Sequence, residues 1–205
     1  MQAYTTIHHE ASFEYEDRKS VFIAEAAPVS KEEDALSFIA SVKKKYPDAK
    51  HHVYAYVLRE NSIMRFSDDR EPQGTAGMPV LDAIRKNSCT DVVIVVVRYF
   101  GGTLLGTGGL VRAYGGSAVG ALLAGEIITY DIYTNMDIEM SYSDHGKLVP
   151  ILESAGFRTK DTEFSDKVTA KGSIKKELAE ALIEKLTDAS GGRVQFHNIE
   201  EKFDF

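Results

Sequence analysis

"DVVIVVVRYFGGTLLGTGGLVRAYGGSA" (residues 91–118) passes from an apolar strand through a glycine-rich turn into a helix. Val92 to Val97 are six β-branched residues in succession. Such a run fits a strand covered on both faces, so it belongs at the centre of a sheet. Arg98 ends the run, and Gly101, Gly102, Gly106, Gly108 and Gly109 follow it, with Arg112 just beyond. A connector that only reversed the chain would need one or two glycines.

Working outward, the first part of the chain alternates strands and helices. "SVFIAEAAPV" (20–29) reads as a strand and "KEEDALSFIASVKKKYP" (31–47) as a helix stopped by Pro47. "HHVYAYVL" (51–58) and "SIMRFS" (62–67) read as a hairpin around Glu60-Asn61. "GMPVLDAIRKN" (77–87) is a short helix, and "EIITYDIYT" (126–134) a last strand. Beyond it, "YTNMDIEMSY" (133–142) alternates as a half-buried strand. "SDHGKLVPILESAG" (143–156) is a helix capped by Ser143, with Pro150 inside it. Two alternating strands, the helix "KKELAEALIEKLTDASGG" (175–192) and a closing strand complete a βαββαβ order, the ferredoxin-like arrangement. The fold class is therefore α+β in two domains, residues 1–134 and 135–205.

Composition sets the outer limits. The 205 residues carry 24 Lys+Arg and 31 Asp+Glu, a net charge of −7, and both halves are mildly acidic. That excludes a protein that coats nucleic acid by bulk charge, but not one with a local basic groove. No long apolar run or secretion signal is seen, so no membrane association is expected, and cytoplasmic location is the expectation. Cys89 is the single cysteine, which excludes an intrachain disulfide and a multi-cysteine zinc site.

Three clusters are candidates for chemistry. In the glycine turn, residues 101–109 leave backbone N–H groups uncovered at a helix N-terminus. Arg98 or Arg112 would supply charge, and the turn reads as an anion cradle. Arg98 stands at the carboxyl end of its strand, where ligands of open α/β sheets bind. Thr107 occupies the place of the Walker lysine and Val111 that of the third Rossmann glycine, so neither nucleotide motif is complete. The competing reading is that the glycines permit close packing. In "SDDREPQGTAGMP" (67–79), Asp68, Asp69 and Glu71 form a carboxylate turn. Glu71 and Thr75 are expected on the same groove as the glycine turn, with Thr75 or Gly77 capping the next helix. In "KHHVYAY" (50–56), His52, Tyr54 and Tyr56 share one strand face, which would stack bases if open or cover a helix if not. No metal site, cofactor motif or nucleophile–base arrangement is complete.

"RKSVFIA", "HHVYAYVL", "SDDREPQGTAGMPVL" and "VVVRYFGGTLLGTGGLVRAYGGSA" resemble, in order and spacing, the bacterial YigZ-like branch of the IMPACT family. The resemblance implies a first domain that is a β/α sandwich like the second domain of a small-subunit ribosomal protein, a fold shared with GHMP kinases. It implies a second domain similar to the fifth domain of elongation factor G. The family usually reads Asp-Gly-Glu-Pro, and Arg70 replaces the glycine here. A eukaryotic relative regulates translation. The expectation is thus a non-enzymatic, monomeric binding protein, using Arg98, Gly101, Gly102, Gly106, Thr107, Gly108, Gly109, Arg112, Glu71, Thr75 and His52. Its partner would be RNA or a ribosome-associated protein. The alternative is an enzyme that binds a nucleotide or other phosphate-bearing ligand with "LGTGG".

Overall fold

The computed structural model describes residues 2–205, which divide into two compact units, one of Tyr4–Thr129 and one of Tyr130–Phe205 together with residues 2–3. The first unit runs β1 (Tyr4–Ile7), β2 (Ala11–Asp17), β3 (Ser20–Pro28), α1 (Glu32–Lys45), β4 (His51–Leu58), β5 (Ile63–Ser67), α2 (Gly77–Lys86), β6 (Val92–Tyr99) and α3 (Gly106–Ala124). Five strands form a sheet in the order β2-β3-β6-β4-β5. β6 is central, as its composition predicts, and Val92 to Val97 are all completely buried.

Alternation along β6 divides its side chains between two cores. Ile94 and Val96 join Phe22, Ala24, Val53 and Ala55 beneath Val80 and Ile84 of α2 and Leu110, Tyr114 and Ala118 of α3. Val93, Val95 and Val97 join Tyr56 and Leu58 beneath Ala35, Ile39 and Val42 of α1. The buried residues of α1 recur at helical spacing, and its ends suit the macrodipole. Glu32, Glu33 and Asp34 occupy the first turn, and Lys43, Lys44 and Lys45 the last.

Two expectations are corrected. β6 runs antiparallel to both neighbours, β3 and β4, so the rule for ligands at the carboxyl edge of a parallel sheet does not apply to Arg98. The His52–Tyr54–Tyr56 face is not open to bases, because α1 covers it. His52 and Tyr56 are buried and Tyr54 packs into the same core. The hairpin of β4 and β5 forms as read, pairing Leu58 with Ile63 and Tyr54 with Ser67.

The second unit is βαββαβ: β7 (Ile127–Met140), α4 (Tyr142–Ser154), β8 (Arg158–Phe164), β9 (Val168–Lys175), α5 (Lys176–Ser190) and β10 (Gln195–Asp204). Its own strands run in the order β10-β7-β9-β8, all antiparallel, which is the ferredoxin-like order, and β1 also joins this sheet on β7, making it five-stranded. Met136, Ile138 and Met140 of β7 and Val168, Ala170 and Ile174 of β9 pack with Leu148 and Leu152 of α4 and Leu182 and Leu186 of α5. Ser141, not Ser143, caps α4, accepting from the Asp144 amide at 3.1 Å. The two strands read separately over 126–142 are one. β7 spans the expected seam near residue 134, and its first residues stay with the first unit, where Thr129 meets Thr5 at 2.9 Å. No helix of the described residues is long and apolar enough to cross a membrane. Cys89 is buried, and burial pushes its thiol up to about 11.

Glycines of the 101–120 region differ in what a side chain would meet. A Cβ at Gly101 would lie 2.0 Å from the Lys19 carbonyl carbon, whereas at Gly116, within α3, it would meet nothing within 4 Å. Gly101→Ala should therefore destabilise the protein by about 3 kcal/mol through forced backbone separation. Gly116→Ala should stabilise it by up to about 1 kcal/mol through helix propensity. Urea unfolding of both variants against the parent checks the two signs.

Candidate functional site

The carboxylate turn and the glycine turn meet at the end of β6. Arg98 and Glu71 are both buried, and Arg98 Nη1 donates to Glu71 Oε1 at 2.6 Å. The Tyr114 hydroxyl, reaching in from the third turn of α3, donates to the same oxygen at 2.7 Å. Burial, and then the Glu71 charge, raise the Tyr114 phenol far above its ordinary range, so it stays a donor. The Arg98 guanidinium lies 5.5 Å from the Phe22 ring and 5.6 Å from that of Phe100. Phe22 meets Tyr114 edge-on at 5.1 Å. His51 Nε2 stands 3.9 Å from Glu71 Oε1.

The neighbouring carboxylates have other work. Asp68 accepts from the amides of Gly74 at 2.9 Å, Ala76 at 3.1 Å and Gly77 at 2.7 Å, satisfying the first N–H groups of α2. Neither Thr75 nor Gly77 caps that helix by side chain. The Thr75 hydroxyl is turned inward onto the Pro72 carbonyl at 2.6 Å. Asp69 accepts from the His52 amide at 2.7 Å, and the His52 ring donates to the Tyr46 carbonyl at 2.9 Å. Glu71 and Arg98 thus come together as expected, but inside the protein. Thr75 and His52 are likewise interior. Arg98 directs its charge to Glu71, and its Nε is buried with no acceptor among the described residues.

The glycine turn is the exposed part. Gly101 is pressed on the β2–β3 turn, its amide donating to Ser20 Oγ at 3.1 Å. Gly102 and Gly106 hold left-handed backbone, at φ 84° and 72°. No side chain caps α3. Gly106, Thr107 and Gly108 are exposed there, while Gly109 is buried. The Arg112 side chain folds back over this turn, Nη1 lying 3.8 Å from where a Gly108 Cβ would be. Arg112 is exposed and has no acidic partner among the described residues. Of the two flanking arginines, it is the one whose charge faces outward.

Sequence reasoning missed what surrounds this turn. Arg18 and Lys19 form the two-residue loop between β2 and β3, held at φ 47° and 66°, and both are exposed. Arg70 is exposed at φ 71°, with Nη2 donating to the Lys50 carbonyl at 2.7 Å, and Lys50 is exposed too. Phe100, beside them, is 52 % exposed. The signal was present: a two-residue loop of this kind favours Asn-Gly, and the segment reads Asp-Arg-Lys-Ser. No group of three or more His, Cys, Asp or Glu side chains among the described residues is placed to hold a metal ion.

With this geometry in hand, comparison with known proteins adds two domain matches. The Impact N-terminal domain matches residues 18–122, and a domain of unknown function, DUF1949, matches residues 138–193. The chain is 34 % identical over 194 residues to the IMPACT family member YvyE of Bacillus subtilis, covering 94 % of this chain and 89 % of that protein. It is 34 % identical to the IMPACT family member YigZ of Escherichia coli, covering 91 % and 93 %. Protein IMPACT of Bos taurus is 35 % identical over 94 residues, covering 44 % of this chain and 30 % of that protein. A crystal structure titled only as a hypothetical protein superposes at a TM-score of 0.61 with 32 % identity, over 98 % of this chain and 100 % of the other.

Three expected outcomes concern the interior cluster and its turn. Glu71→Ala should cost about 3–5 kcal/mol, because it strands a buried guanidinium, while Tyr114→Phe should cost only about 1–3 kcal/mol for one charged hydrogen bond. Chemical denaturation of the two variants gives both numbers. Arg70→Gly should stabilise the protein by about 0.5–1 kcal/mol by relieving left-handed strain, measurable as a raised melting temperature.

Proposed function

The chain belongs to the IMPACT family, and from that membership we propose that it is a non-enzymatic binding protein in the regulation of translation. In this reading it holds the phosphate backbone of RNA, free or ribosomal, at the glycine–arginine end of its first unit. The observation that carries the reading is a set of strained cations. Arg18, Lys19 and Arg70 are exposed, all in left-handed backbone that disfavours side chains, and all at the sheet end that carries the glycine turn. Each such residue costs roughly 1–2 kcal/mol relative to a relaxed conformation. Strain kept around one exposed loop, where Asn or Gly would relieve it, supports a role for the charges themselves.

The remaining features fit a phosphate ligand. Arg112 adds a fourth cation over the uncapped start of α3, where backbone N–H groups favour an anion. Phe100 offers an exposed ring on which a base can stack. Asp69 lies 3.8 Å from Arg70 Nε and offsets part of that charge, while its other oxygen accepts from the His52 amide, so Arg18, Lys19 and Arg112 are the cations left without an acidic partner among the described residues. With a net charge of −7, binding of a phosphate backbone would depend on a local cluster of this kind and not on bulk charge. Glu71 Oε1 already accepts from Arg98 and Tyr114, which supports a structural use of this carboxylate over a catalytic one.

The test sets stability against binding. Replacing Arg18-Lys19 with Asn-Gly should raise stability by about 1–2 kcal/mol through a relaxed turn. The same variant should weaken binding of a fluorescein-labelled single-stranded RNA and reduce the slope of log K against log salt by about 1.4, two cations at roughly 0.7 each. Fluorescence anisotropy across a salt series reads both. RNA binding left unchanged by this variant and by Arg112→Ala would overturn the proposal. A rise in melting temperature with ATP but not with RNA would favour the nucleotide-binding alternative.

A further inference from the structure

We propose that the Nε–Nη2 edge of Arg98 is a subsite for the phosphate monoester of a nucleotide, and that this nucleotide is the end of the RNA held at the glycine turn. The second half rests on the RNA reading, and the first does not. Arg98 meets Glu71 through Nη1 alone, which donates at 2.6 Å. Nη1 is the nitrogen on the Cδ side, so the opposite edge, where Nε–H and Nη2–H run parallel, is left whole. Nε is buried and has no acceptor among the described residues. Nη2 makes no hydrogen bond either, but it is not fully enclosed, so the edge opens at that end. A buried donor without an acceptor is costly. Two parallel N–H groups of a guanidinium are the pattern that an oxyanion accepts with two oxygens.

The surroundings select the oxyanion. Tyr15, Phe22, Arg98 and His51 form one row across β2, β3, β6 and β4, at the end of the face that α3 covers. Phe22 is wholly buried, whereas Tyr15 is 37 % exposed and His51 half-buried, so the row reaches solvent at both ends. Phe100, the other ring against the guanidinium, is exposed. The Arg98 guanidinium therefore lies one side chain below the surface, beside a ring on which a base can stack. An internal phosphodiester carries a sugar on either side and needs a groove open both ways. A terminal monoester presents three oxygens at one end, with a charge of about −1.5 to −2, and enters a narrow recess end-on. Glu71 already balances Arg98, so a second anion draws on the unpaired cations at this end of the sheet. Lys19 is one of them, and its backbone presses on Gly101, next to Phe100. A carboxylate, with one charge and no base, would use neither the ring nor the surplus.

The experiment uses the full-length protein and an RNA of about eight nucleotides, with fluorescein on an internal base and a phosphate at the 5′ end, at the 3′ end or at neither. Anisotropy should show one phosphorylated end binding about tenfold or more tighter than the unphosphorylated strand, the gain of a charged, two-pronged contact. The other end carries the same added charge and should gain about twofold or less. Arg98→Lys keeps a cation for Glu71 but has no planar fork, so it should cut the larger ratio to about twofold or less in a protein that still melts cooperatively. If that variant does not fold, the parent decides: at constant ionic strength inorganic phosphate should erase the ratio and acetate should not, and the reverse result assigns the edge to carboxylates and overturns the proposal. Equal binding of the three strands, or equal gains at both ends, overturns the subsite and leaves the RNA reading in place. If no strand binds, a melting temperature raised by AMP in the parent but not in Arg98→Lys keeps the subsite and overturns its assignment to RNA. No response to RNA, AMP or inorganic phosphate overturns both.

Discussion

The Glu71 carboxylate lies where three segments of the first unit meet. Arg98 brings in the end of the central strand, Tyr114 brings in α3, and Glu71 itself ties down the turn before α2. Two charges withdrawn from water are costly, and their attraction offsets that cost only when the geometry is good and the remaining lone pairs are used. Here one carboxylate oxygen accepts both a guanidinium and a phenol, and the rings of Phe22 and Phe100 flank the cation. The cluster contributes less to net stability than apolar side chains of equal volume could. It does fix which segments meet, since loss of any one member leaves a buried polar group without its partner. Everything exposed nearby, from Gly101 to Arg112, is positioned by that interior choice.

Next to it, Asp68 performs a similar service by a different route. Its carboxylate reaches across the turn to the amides at the start of α2. Two adjacent stretches of the same turn thus point carboxylates inward, one at a helix end and one at an arginine. The intervening Asp69 and Arg70 adopt left-handed backbone, at φ 40° and 71°. The turn is shaped by what its side chains must reach, and Arg70 carries the resulting strain.

Much of this was legible in the residues. Six β-branched residues in a row marked β6 as central, helical spacing marked α1, and alternation marked the β4–β5 hairpin and the βαββαβ half. Direction was not legible, because a strand buried on both faces has the same composition in a parallel and an antiparallel sheet. The role of His52 was hidden for a related reason. Alternation shows that a face exists, while only the packing of α1 shows that it is covered. Tyr114 and Asp68 act on partners 43 and up to 9 residues away, through tertiary contacts that no local pattern records. The glycines divided among several causes: close approach at Gly101, left-handed backbone at Gly102 and Gly106, contact with the Arg112 side chain at Gly108, and open space at Gly116. Their clustering in sequence suggested one cause. The cations were visible as residues, but not that Arg70 reaches the Lys50 carbonyl, that the Arg18-Lys19 loop lies against Gly101 or that Arg112 folds back to Gly108.

Cys89 has a practical consequence. It is the sole cysteine of the chain, it is buried, and burial raises its thiol to about 11. At neutral pH almost none of it is thiolate, the form that attacks alkylating reagents. The folded protein is therefore a nearly silent background for thiol chemistry. A cysteine introduced at any exposed position would take a fluorophore or spin label alone, with no native residue first removed from the core.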